Sequence, residues 1–292
     1  MEADRRKIME RNIKISGFAD EIAEDLKKQI EVIKKLGISY IEMRGVNGKP
    51  LVEHSLEEVK EIKRELDANG IRLSSVGSPI GKIQITEDFE EHFELYKRTV
   101  EIAKIMETPY IRMFSFFIPS EEKPETYKNQ VFDRLQKLID YAIKEDVILL
   151  HENEKEIYGD NAKRCFEIME QFYGKHFKMV FDFANFVQCH QDTKEAYRLL
   201  KPYIAYIHIK DAQADSGMVV PAGYGDGHIE EILGDLIKNG YQGFFSLEPH
   251  LTDFTGFDAL EKKAEQRQRK MSGEDAYTIA YNALKEILDR LT

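Results

Sequence analysis

Cysteine is scarce: the 292 residues hold two, Cys165 and Cys189, with no C-x-x-C spacing. A disulfide framework is therefore excluded, and both residues read as reduced thiols. No apolar run approaches the ~18 residues of a membrane span. The opening Met1-Glu2-Ala3-Asp4-Arg5-Arg6-Lys7 is charged with no apolar stretch behind it, so a secretory signal is not expected and the cytoplasm is the default location. Positive charge is in deficit. The net charge of -11 argues against nucleic acid as the main partner, because phosphate binding depends on Lys and Arg. Also missing are a G-x-G-x-x-G after the first strand and any Pro/Gly/Ser-rich linker. The 42% hydrophobic content suffices for a large core at this length without a structural metal.

What is present is a strict alternation of short β-rich runs and amphipathic helical stretches. Strands are expected at 13–18, 39–43, 71–76, 110–118, 147–150 running on into 151–154, 178–183, 204–209 and 243–247. Helices are expected at 23–36, 56–68, 89–106, 127–145, 161–172, 193–200, 229–239 and 273–291, several of them stopped by a glycine such as Gly37 or Gly240. Such alternation calls for a parallel sheet with helical crossovers, and eight units close into a barrel. The fold class is thus α/β, a single-domain (β/α)8 TIM barrel. Residues 1–12 form an N-terminal extension, 251–272 a long final βα loop and 273–291 the closing helix.

The active site of such a barrel forms where strands end and βα loops begin. In the second half of the chain those positions hold Glu152, Asp182, His208 and Glu248, each about one βα unit from the next. Barrel closure aims such side chains at a common point. Three carboxylates and one imidazole suit Mn2+, Mg2+ or Co2+ and tolerate Zn2+. The bland alternative, that each residue caps a helix or pairs with a cation, holds better for any one of them than for all four. Strand alternation turns His151 and Asn153 away from Glu152, so His151 is expected to be packed and hydrogen-bonded rather than a ligand. Candidates for substrate contact are Glu42 and Arg44 on the second strand, Lys82, Asn185, Lys210 and His250, with Arg44 or Lys82 suited equally to a phosphate or carboxylate or to a rim salt bridge. Glu154 shares the face of Glu152. Phe114, Phe116 and Phe117 are expected mainly to fill the barrel layers.

The segments Val-Phe-Asp-Phe-Ala-Asn-Phe at 180–186, Tyr-Ile-His-Ile-Lys-Asp-Ala at 206–212, Gly223-Tyr224-Gly225-Asp226-Gly227 and Phe-Ser-Leu-Glu-Pro-His at 245–250 resemble the xylose-isomerase-like sugar phosphate isomerase/epimerase superfamily. The likeness runs from Phe18-Ala19-Asp20-Glu21 to the last helix and is specific in the second half. It implies one divalent ion, of the Mn2+ type, on Glu152, Asp182, His208 and Glu248, with Glu152 and Glu248 also moving the proton. The expected activity is isomerisation or epimerisation of a sugar or sugar phosphate through a metal-stabilised enediolate. Elimination from that species makes a metal-dependent lyase or dehydratase on keto-sugars, keto-inositols or oxidised glycosides the alternative. A partner-dependent subunit or a non-catalytic accessory barrel is the reading from another class. The expected partner is a small carbohydrate, with no nucleic acid and no membrane, and self-association is compatible with the resemblance. One departure stands out. Many members carry Asp-x-x-His after strand six, whereas this chain has Asn185 in the fourth position. The superfamily's apurinic endonucleases need extra histidines after strands three and four. Here those ends read Ser75-Val76-Gly77-Ser78 and Phe114-Ser115-Phe116-Phe117, and Asp226-Gly227-His228 is only a partial echo.

Overall fold

The computed structural model describes residues 13–251 and 271–291. Eight parallel strands form one sheet: β1 (Lys14–Gly17), β2 (Tyr40–Met43), β3 (Arg72–Gly77), β4 (Tyr110–Met113), β5 (Ile148–Glu152), β6 (Phe177–Asp182), β7 (Ile204–Ile209) and β8 (Phe244–Leu247). Their order is 1-8-7-6-5-4-3-2, and a parallel bridge between Phe18 and Glu42 joins the two outer strands. The chain is a (β/α)8 TIM barrel. The expected N-terminal extension and most of the expected final loop lie outside the described residues.

The helices follow their amphipathic periods and capping residues. Asp25 caps α1 (Leu26–Lys35), accepting from the Lys28 N–H. Ser55 and Glu58 form a reciprocal capping box on α2 (Leu56–Ala68). The ring continues through α3 (Glu90–Ile105), α4 (Lys128–Glu145) and α5 (Ala162–Phe172), where Asn161 caps the last of these. A short α6 (Phe183–Gln188), α7 (Thr193–Leu200) and α8 (Ile229–Lys238) complete the second half. The closing α9 (Gly273–Leu291) buries Ala276, Tyr277, Ala280, Ala283, Leu284, Ile287 and Leu288, one apolar stripe laid against the barrel.

Four expected strands end early, the first at Gly17 and the fifth at Glu152, and for the other two the reason is identifiable. The run 110–118 stops being barrel strand at Met113. Beyond it, Phe114, Phe116 and Phe117 donate backbone hydrogen bonds to Ile80, Gly81 and Ile83, stitching the loops after β3 and β4 together. The run 178–183 loses Phe183 to α6, because Asp182 turns the chain by capping that helix.

Inside the barrel, the end away from the strand termini is filled by Leu150, Val180, Tyr206 and Phe244, with Tyr40, Tyr110 and Ile148 packed on them. A polar layer lies above: the Ser16 and Ser74 hydroxyls bond at 2.6 Å, and Ser74 meets the Tyr206 hydroxyl at 2.8 Å. The carboxylates begin one layer further up.

Candidate active site at the strand ends

Glu152 ends β5 and Asp182 ends β6, while His208 lies opposite Asp182 in the β6–β7 register and opposite Ser246 in the β7–β8 register. Glu248 follows β8 directly. Each of the four offers an atom within 4.8 Å of the others, and all are buried. His208 Nδ1 lies 3.0 Å from Glu152 Oε1, 3.4 Å from Glu248 Oε2 and 3.9 Å from Asp182 Oδ2.

Asp182 divides its oxygens between fold and site. Oδ1 accepts the Asn185 N–H at 2.7 Å as the cap of α6. Oδ2 is buried and accepts no hydrogen bond, facing the Lys210 ammonium at 3.1 Å as an ion pair alone. Burial pushes the Asp182 carboxyl up to about 7, with Glu248 and Glu152 adding to the rise against the pull of Lys210. Burial also opposes ionisation of Glu248, but Lys210 and His208 prevail and hold it well below the ordinary carboxylate range. Lys210 Nζ sits 3.1 Å from Glu248 Oε2 as well, so one buried ammonium bridges two of the acids.

These three carboxylates converge on one point, where Lys210 and the His208 imidazolium are the positive charges inside the cluster and Arg112, Arg44 and His250 flank it. Burial acts to lower the His208 pKa, yet Glu152 and Glu42 raise it well above the histidine range. An orphaned Asp182 oxygen, two further carboxylates and one imidazole nitrogen are the donor set that a hard or borderline divalent cation requires. The residues fit such an ion.

Behind the cluster, Glu42 meets His208 Nε2 at 3.1 Å and accepts from the Ser246 hydroxyl at 2.6 Å. Burial raises its carboxyl, but His208 and Arg112 outweigh this and keep it ionised below the usual range. Glu42 was expected to touch substrate. Instead it is fully buried at the depth of His208 and Ser246, one layer beneath the cavity, because Arg44 two residues on takes the mouth position. A carboxylate on Nε2–H leaves Nδ1 for the cluster and fixes the ring.

Above the cluster opens a cavity of about 400 Å³, whose wall includes Arg44, Lys82, Asn185, Lys210 and His250. The cations expected to hold an anion are engaged elsewhere. Arg44 donates from Nε to Asp20 at 2.8 Å, and Lys82 donates to Glu154 at 3.1 Å. His250 Nε2 lies 3.2 Å from both Glu21 and Glu248; these carboxylates raise its pKa to about 9 against the effect of burial. Asn185 Nδ2 reaches Glu152 Oε1 at 3.3 Å and the Asn153 carbonyl at 3.0 Å.

Asn153 faces away from Glu152 and clamps the backbone of Asp182, accepting its N–H and donating to its carbonyl, both at 3.0 Å. His151 is packed as expected, but among the described residues neither ring nitrogen has a hydrogen-bond partner, and burial lowers its pKa to about 3. Phe114 contributes to the cavity wall rather than only to the core.

Two functional features escape a reading of the sequence. Arg112, in mid β4, enters the cavity wall, and its period-2 position was the only signal. Asp211 organises the Gly223-Tyr224-Gly225-Asp226-Gly227 loop by accepting the N–H groups of Gly223, Gly225 and Gly227 at 2.9–3.0 Å. A Cβ at Gly225 would stand 2.5 Å from Asp211 Oδ1, and one at Gly227 2.6 Å from it, so only glycine allows this approach.

Residues 30–288 match the family described as xylose isomerase-like TIM barrel. No curated protein sequence matches. Among solved structures, the probable 3-DHS dehydratase AsbF of Bacillus anthracis superposes with a TM-score of 0.72 at 17% identity, covering 94% of this chain and 98% of that one. The IOLI protein with a bound zinc atom gives 0.71 at 18%, covering 96% and 99%. The 3-keto-D-glucoside 4-epimerase YcjR of E. coli gives 0.66 at 13%, covering 95% and 99%. At these identities the superpositions speak for the fold, while the family match spans most of the chain. The protein belongs to the xylose isomerase-like TIM-barrel family.

Proposed function

We propose that this protein is a divalent-metal-dependent enzyme that moves a proton next to a carbonyl on a small polyhydroxylated substrate, as an isomerase or epimerase. The observation that carries this reading is the convergence of Glu152, Asp182, His208 and Glu248 on one point, from which Glu152 and Glu248 reach the cavity wall. Those four residues would hold the ion, with Mn2+ the first choice for reconstitution. What the cation supplies when bound is Lewis acidity, polarising a substrate carbonyl and offsetting the charge that develops on its oxygen.

Glu152 and Glu248 come from β5 and from the end of β8, so they approach a bound substrate from different sides. One takes the proton α to the carbonyl and the other returns a proton, to the opposite face or the adjacent carbon. Glu248 is held ionised by Lys210 and His208, which suits it to the role of base. Asn185 holds Glu152 and offers no titratable group of its own. Glu42 and Ser246 keep the His208 ring in place.

A second reading, a lyase or dehydratase, draws on Lys210: a buried ammonium beside Glu248 could assist departure of a hydroxyl. The two readings separate by product mass, since an epimer is unchanged and a dehydrated product has lost water. Glu152→Gln and Glu248→Gln should each lower turnover by roughly 10²–10⁴-fold while the far-ultraviolet circular dichroism stays that of the parent. Full activity in both variants would remove them from proton transfer. Elemental analysis of Mn2+-titrated protein should give about one ion per chain; none, at any Mn2+ concentration, would end the metal reading.

A further inference from the structure

We propose that Arg112 anchors a carboxylate on the substrate, so that the cavity takes a polyhydroxylated carboxylic acid in preference to a neutral sugar. This inference deepens the function proposed above and rests on it for the identity of the substrate as an oxygen-rich small molecule.

Arg112 is 5% exposed and lines the cavity. Among the described residues its side chain makes no hydrogen bond, and its Nε is buried without a partner. The nearest acidic oxygen, Glu152 Oε2, lies 3.4 Å from Nε as a loose ion pair. Glu152 is also one of the expected cation ligands, so its charge is already committed. The other cavity cations are all satisfied: Arg44 by Asp20, Lys82 by Glu154, Lys155 by Gln188, Lys210 by Glu248 and His250 by Glu21.

A buried guanidinium with idle donors is costly unless something completes it. Its setting is rigid: the guanidinium carbon lies 4.6 Å from the centre of the Phe114 ring and 5.2 Å from that of Phe18. Two aromatic contacts hold a planar fork, and that fork matches a carboxylate through paired N–H···O bonds. Charge selects among anions. The Arg112 charge, met loosely by Glu152 and felt by Glu42, leaves room for a singly charged carboxylate, whereas a phosphate ester brings a charge of about -1.5 to -2 near neutral pH. The second charge would meet Glu152, Glu154 and Glu248 on the cavity wall.

Titration calorimetry tests this with three four-carbon probes: the sugar acid erythronate, the neutral polyol erythritol and erythritol 4-phosphate. Each is titrated into the wild type, Arg112→Gln and Arg112→Lys, both loaded with Mn2+ and stripped by chelation. Erythronate should bind the wild type at least about tenfold more tightly than erythritol in both forms. The preference should vanish in Arg112→Gln and return in part in Arg112→Lys. A preference that survives in the Gln variant, no preference in the wild type, or a tighter Arg112-dependent phosphate ester would each overturn the proposal. If Arg112→Gln does not fold, the wild-type ratio and the Lys variant still decide. A protein that takes up no metal would defeat the proposed function alone, because the stripped-protein titrations judge Arg112 separately.

Discussion

The two halves of the barrel present opposite chemistry to the same cavity. From β5 to β8 the strand ends carry Glu152, Asp182, His208 and Glu248, an acidic cluster built to collect positive charge. From β1 to β4 the cavity wall carries Arg44 and Arg112, with Phe18 beneath the two guanidinium groups and Phe114 beside Arg112. Under the function proposed above, one half would hold the cation and move the proton, and the other would orient what binds. The halves also pin their loops differently. In the second half the Asp211 carboxylate gathers the N–H groups of three glycines, while in the first the neutral His92 ring accepts the Gly81 N–H at 2.8 Å. The division is not complete: Lys155, Lys210 and His250 of the second half and Glu53 of the first also line the cavity, and Glu42 from β2 supports the His208 ring.

The largest effect that would break this division is loss of the cation site. His208→Ala or Asp182→Ala should weaken Mn2+ binding by about a thousandfold or more, since each removes one of four donors, and competition with a fluorescent chelator measures it. Undiminished binding in both would show that the acidic half is not a cation site. Glu42→Gln should cost less, about ten- to a hundredfold in affinity, the usual weight of a residue that orients a ligand. An effect as large as that of His208→Ala would make Glu42 a ligand itself and erase the division.

Acid should loosen the first half. Burial, reinforced by Arg134, depresses the His92 pKa from 6.5 to about 4. The depressed value means that the unfolded chain binds the proton more readily than the fold does. The contribution of His92 is therefore present above about pH 6.5 and is lost as pH falls toward 4, on the order of 3 kcal/mol. Urea unfolding of the wild type and His92→Gln across pH 4–7 should show a shallower slope in the variant; parallel curves would absolve His92. The smallest expected change is Ser55→Ala, which breaks the capping box of α2 far from the cavity. It should lower stability by about 1 kcal/mol and leave Mn2+ affinity untouched. A loss of affinity there would mean that the site depends on the whole first half.

The convergence of the acidic half was readable because Glu152, Asp182, His208 and Glu248 sit at or beside strand ends, where the chain position fixes the side-chain direction. The cationic half was not. Arg112 lies inside Tyr-Ile-Arg-Met, where an arginine can equally reach a rim, and only neighbouring strands show that it is enclosed by Phe18 and Phe114. For Arg44 and Lys82 the sequence leaves anion binding and a rim salt bridge equally open, because Asp20 and Glu154, their partners, are distant in sequence. Glu42 looked like a substrate contact because alternation gives the face of a residue and says nothing of its depth. Phe183 looked like strand because the capping role of Asp182 depends on where its side chain turns.

By itself, then, the sequence determined the eight βα units, their helix caps and the four strand-end donors. Each is a local consequence of hydrophobic period, turn residues and position along a strand. Only the tertiary structure decided which charges neutralise one another, which layer each inward residue occupies and which cation is left over. Those outcomes depend on distances between side chains that meet only when the barrel closes.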